Sequence, residues 1–110
     1  MNVRELCRSL GLNPVAGEKG MDRKVDGAYA GDLLSFVMAN ASKGNVWITI
    51  QAHSNIVAVA CLLEMACIIV AAGVQVDGDT LEKADKEGIP ILSADLDVYT
   101  LCCKLHSLGI

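Results

Sequence analysis

Residues 45–73 read Asn-Val-Trp-Ile-Thr-Ile-Gln-Ala-His-Ser-Asn-Ile-Val-Ala-Val-Ala-Cys-Leu-Leu-Glu-Met-Ala-Cys-Ile-Ile-Val-Ala-Ala-Gly, and they decide the fold. Val46–Ile50 is apolar on both faces except at Thr49. Cys67–Val70 is wholly apolar. Between them lie a short polar loop and an apolar run, Ile56–Met65, long enough for a helix. Strands without a polar face are buried on both sides, which is the mark of a parallel sheet covered by helices.

The same pattern continues outward. Asp79 is expected to cap a charged helix, Thr80–Glu87, that Gly88 ends. Ile89–Leu92 follows as a third strand, and Asp97 caps a last helix over Val98–Leu108. Val46, Ile68 and Ile91 stand 22 and 23 residues apart, room for one crossover helix in each step. Towards the N-terminus, Leu33, Leu34, Val37, Met38 and Ala41 repeat at helical spacing, with Asp32 as the expected N-cap and Lys43-Gly44 as the stop. Val25–Ala28 reads as a weak strand, and Val3–Leu10 as a short amphipathic helix. Residues 13–24 hold two Gly, one Pro and five charged side chains, so this stretch is expected to be the most irregular and mobile. The architecture implied is α/β, a three-layer αβα sandwich with a mostly parallel sheet, in one domain over residues 1–110.

Composition narrows the function. Nine basic against thirteen acidic residues give a net charge of −4, and no basic cluster exceeds Arg23-Lys24. Nucleic acid and anionic membrane surfaces are poor partners for such a chain. The apolar run Ile56–Gly73 is short for a membrane span and carries Glu64 near its middle. Five cysteines, an odd number without a CxxC pair, suit a reducing compartment, and a cytoplasmic protein is expected.

Ligands of open parallel sheets gather at the carboxyl ends of the strands. The loops there are Gln51-Ala52-His53-Ser54-Asn55, Ala71-Ala72-Gly73 and Ser93-Ala94-Asp95. They supply the candidate contacts Gln51, His53, Ser54, Asn55, Gly73 and Asp95 for an adenine nucleotide or another anion near helix N-termini. His53 with Asp95 is the pair a phosphoester hydrolase would use, although a lone His is more often structural or exposed, with Ser54 or Asn55 capping the next helix. Cys102 and His106 share a helix face but lack a second ligand pair, so no metal is expected. Gly73 and Gly78 have phosphate-loop spacing, yet Asp79 stands where Lys is required. Trp47, on a buried strand, reads as core.

Three segments together carry a resemblance. Val25-Asp26-Gly27-Ala28-Tyr29-Ala30-Gly31-Asp32-Leu33-Leu34-Ser35, Asn45–Ile50 and Gly88-Ile89-Pro90-Ile91-Leu92-Ser93 resemble, in this order and spacing, DRTGG domains. The resemblance implies a fold similar to the N-terminal domain of HPr kinase/phosphorylase, and an accessory regulatory role without a catalytic motif. It also implies kinship with stand-alone members that accompany hydrogenase and redox-signalling genes. In the family the loop after the central strand often reads Gly-Asp-Arg followed by a polar residue and Asp; Gln51–Asn55 replaces it here, without the Arg. The expected function is a non-catalytic regulatory domain, a homodimer acting on a protein partner. The alternative is a small-ligand sensor.

Overall fold

A computed structural model describes all residues, Met1–Ile110. Five strands form one sheet: β1 (Asn13–Ala16), β2 (Ala28–Ala30), β3 (Val46–Thr49), β4 (Cys67–Val70) and β5 (Ile91–Ser93). Their order across the sheet is β1-β5-β4-β3-β2. β2, β3, β4 and β5 run parallel, and β1 joins β5 antiparallel at one edge. The helices are α1 (Val3–Leu10), α2 (Leu34–Asn40), α3 (Asn55–Leu62), α4 (Gly78–Glu87) and α5 (Val98–Ser107).

Alternation along the strands divides the core in two. Val46, Ile48, Cys67, Ile69 and Leu92 point to one face, where Leu6 of α1 and Leu101 and Leu105 of α5 cover them. Trp47, Ile68, Val70 and Ile91 point to the other, against Val37 of α2, Ile56 and Ala60 of α3 and Ala84 of α4. Every residue of β3 and β4 is buried, which is why these strands read as apolar runs interrupted only by Thr49. Each fully buried Ile or Leu contributes about 1.5–3 kcal/mol. Trp47 is part of this core, and its indole N–H is not stranded there: Nε1 donates to the Gly31 carbonyl at 2.8 Å.

Four local expectations are corrected. Residues 13–24 are not loose. They contribute β1 and a 3-10 turn over Glu18–Gly20, with Met21 buried beneath. β1 is an edge strand with an irregularity between Pro14 and Ala16, a place that tolerates a proline. The turn after it is pinned: Gly17 N–H donates to Asp85 Oδ1 at 2.8 Å, and Arg23 Nη1 to the Met65 carbonyl at 3.1 Å. The strand expected over Val25–Ala28 starts at Ala28 instead, because the preceding residues turn to bring Asp26 N–H onto the Gly44 carbonyl. Asp32 does not cap α2, whose N-cap is Leu33 with no side-chain bond. Asp79 does not cap α4 either; the helix starts at Gly78, two residues before the expected Thr80, with Asp77 at the N-cap and Asp79 in the first turn.

Lys43-Gly44 does not stop α2, which ends at Asn40 with extended Ala41 as its C-cap. Asp97 Oδ1 accepts Thr100 N–H at 2.8 Å at the start of α5. That bond holds its carboxyl below the ordinary value of 3.8. At α1 an unforeseen capping box pairs Asn2 with Glu5. α3 stops at Leu62, short of Met65, where Glu64 turns the chain with φ of 55°. No helix is long and apolar enough to cross a membrane.

Candidate functional site

The parallel strands deliver four loops to one edge of the sheet: Gly31–Leu33 after β2, Ile50–Ser54 after β3, Ala71–Asp77 after β4 and Ala94–Asp97 after β5. Asn13, at the start of antiparallel β1, pairs with Ser93 and so reaches the same edge. Nothing in the residues around Asn13 signals a strand, so its place at this edge is not legible in the sequence.

The six candidate residues fall into three groups along this edge. Gln51 belongs to the β2–β3 end: its Nε2 donates to the Asp32 carbonyl at 2.9 Å, and its N–H to Thr49 Oγ1 at 3.1 Å. Here Asp32 has its role. Its Oδ1 accepts the Thr49 hydroxyl at 2.7 Å and the Ile50 N–H at 2.9 Å, closing the end of β3. Thr49 is fully buried, so this carboxylate satisfies a hydroxyl that would otherwise lack an acceptor.

His53 lies over the start of α4. Its Nδ1 is 3.3 Å from Asp77 Oδ2, and its side chain is 74% exposed. Asp77, not Asp95, is therefore the partner of the histidine. Thr80, fully buried, donates its hydroxyl to the Ala52 carbonyl at 2.8 Å and fixes the His53 loop against α4. Ser54, in the position before α3, makes no capping bond and faces a polar groove lined by Lys83, Lys86 and Glu82. Asn55 is the first, exposed residue of α3.

Gly73 and Asp95 do meet. Gly73 N–H donates to the Ala94 carbonyl at 2.9 Å, and Ala72 N–H to the Leu96 carbonyl at 2.8 Å. Both residues line a cleft of about 300 Å³ with Asn13, Val15, Val74 and Leu81. A second cleft, of about 420 Å³, opens beside it between α1 and the β5 end; Asn13, Ser93 and Asp95 are common to both.

The site's electrostatics are set by aspartates. Asp32 occupies the β2–β3 end, Asp77 pairs with His53, and Asp97 takes the free N–H at the start of α5. Thiol chemistry lies elsewhere. Cys67 is fully buried at the opposite end of β4, where burial, with Cys7 adding to it, pushes its thiol well above the ordinary range. Cys102 is half-buried against the core and His106 is exposed, with no third ligand beside them; no group of three His, Cys, Asp or Glu side chains is placed to hold a metal.

A solved structure of the CBS and DRTGG domains of the regulatory region of Clostridium perfringens pyrophosphatase, complexed with the activator diadenosine tetraphosphate, matches with a TM-score of 0.74 and 16% identity. The match covers 94% of this chain and 45% of that one, so this chain spans less than half of its neighbour's length. No curated protein matches. The likeness at 16% identity establishes the α/β fold. The model of the DRTGG domain matches residues 5–108, nearly the whole length, and the chain belongs to the DRTGG domain family.

Proposed function

We propose that this chain is a non-catalytic regulatory domain that works by protein contact, as a homodimer that modulates a partner protein. The observation that carries the reading is the surface of α2. Residues 33–42 contain no charged side chain, yet Leu33 is 62% and Phe36 61% exposed. Ile50, 47% exposed, lies beside them, since its N–H reaches Asp32. The neighbouring strand β2 is the outer strand of the sheet and is open along its free side. A two-fold axis brings a patch against its own copy, which an uncharged surface tolerates because no like charges face each other. The dispersion of the acid–base groups also favours this reading over hydrolysis: His53 and Asp95 belong to different groups along the edge.

Sedimentation equilibrium tests it. The wild type should have twice the 11.6 kDa chain mass at micromolar concentration, and Phe36→Asp should have the single mass with an unchanged far-UV spectrum. A wild type that stays monomeric at high micromolar concentration refutes the homodimer.

A second reading, a sensor of an adenine nucleotide at the strand ends, draws support from the activator bound by the pyrophosphatase regulatory region. Thermal melts against AMP, ATP and diadenosine polyphosphates test it. A ligand of the folded state at a hundredfold excess over its dissociation constant adds about 2.7 kcal/mol. Flat melts across the series refute it.

A further inference from the structure

We propose that the hollow at the amino ends of β3 and β4 binds a small phosphate-bearing ligand, its phosphoryl group held among Arg23, Lys24 and Lys43. This edge of the sheet is opposite the loops of the candidate site. A phosphate here is therefore independent of both the homodimer and the nucleotide reading.

The hollow measures about 300 Å³, and the three cations line it together with Glu64. The sequence shows only the adjacent pair Arg23-Lys24. Lys43 joins them because the chain before β2 runs beside the turn before β3, where Asp26 N–H bonds the Gly44 carbonyl at 2.8 Å. Three of the nine Lys and Arg residues of a chain with net charge −4 are thus gathered around one hollow.

The polar groups left unused set the class of ligand. The acceptors are largely taken. Glu64 Oε2 lies 3.2 Å from Lys43 Nζ. The carbonyls of Arg23, Gly44, Cys61 and Glu64 each accept a backbone N–H, and that of Met65 accepts Arg23 Nη1. The donors are largely free. Half-buried Arg23 spends one N–H on Met65 and pairs with no carboxylate. Lys24 forms no ion pair. An exposed lysine is commonly just solvated, and Arg23 alone would satisfy the carboxyl end of α3. Neither reading accounts for a half-buried guanidinium that has no carboxylate and shares its hollow with two more cations. Three cations against the single Glu64 carboxylate leave a surplus of positive charge that matches a phosphate of about −1.5 to −2. The guanidinium fork and two ammonium groups suit its several oxygens better than a carboxylate's two.

The test uses the full chain, labelled with ¹⁵N, titrated at neutral pH and constant ionic strength with inorganic phosphate, methyl phosphate, acetate or chloride. Both phosphates should shift the amide signals of Lys24, Lys43, Gly44 and Ala66 saturably in the millimolar range, and acetate and chloride should not. The exposed double change Lys24→Gln with Lys43→Gln should weaken phosphate about tenfold or more and leave the rest of the spectrum in place. Arg8→Gln with Lys104→Gln, an equal change of net charge outside the hollow, should leave the affinity unchanged. Glu64→Gln should tighten phosphate, since it frees Lys43. Absence of saturable shifts at these residues overturns the proposal. So do equal shifts with acetate or chloride, which would mean screening alone, or equal weakening in the two double variants.

Discussion

Replacing Asp32 by Ala removes two hydrogen bonds at the end of β3 and leaves a buried hydroxyl without its acceptor. A hydrogen bond to a charged group is worth about 1.5–3 kcal/mol net. Because Asp32 is itself exposed, the lower end applies, and the pair together should be worth about 2–3 kcal/mol. Loss of a helix N-cap alone would cost about 1 kcal/mol and would be indifferent to Thr49. The two accounts therefore separate in a double-mutant cycle of Asp32→Ala with Thr49→Val. The structure predicts a coupling of about 1–2 kcal/mol, as for other residues in direct contact. Trp47, the only tryptophan, is buried two residues before Thr49 and reports the unfolding by fluorescence. With a urea dependence of about 1.5 kcal/mol per molar, Asp32→Ala should lower the midpoint by about 1–2 M at fixed protein concentration. A cost under about 0.5 kcal/mol, or strict additivity of the two substitutions, would refute the account of the β3 end.

Gly17→Ala should destabilise by about 3 kcal/mol or more in the same assay, since φ is +75° and a Cβ would overlap the Ile89 carbonyl; a change under about 1 kcal/mol would mean the turn after β1 is free to move. The Asp97 carboxyl, held low by Thr100, stabilises the folded state fully above its unfolded value of 3.8, and loses that contribution as pH falls through its lowered folded value. Melting wild type beside Asp97→Ala should accordingly show a gap at neutral pH that closes under strongly acid conditions, whereas a gap that widened there would contradict the capping bond. Maleimide labelling should modify exposed Cys103 first and reach buried Cys67 at least about a thousandfold more slowly, through global opening, so comparable rates would contradict the packing of β4.

The sequence alone determined the central strands, their parallel direction and the layers of helices. Apolar runs such as Cys67–Val70 admit few placements other than between two covering layers, and Gly88 and Asp97 end and begin helices through contacts a few residues away. Only the tertiary structure decided the edges and the site. Pro14 sits in a strand whose partner lies more than seventy residues later, and nothing local announces that pairing. Asp32 reads as a cap because caps are local, but the carboxylate turns instead to Thr49 and Ile50 across the sheet. His53 finds Asp77, while Asp95 finds Gly73 and Asn13, by the lateral order of the strands. Periodicity and capping act between neighbours in the chain, whereas hydrogen-bond partners and cleft walls depend on which strands lie side by side.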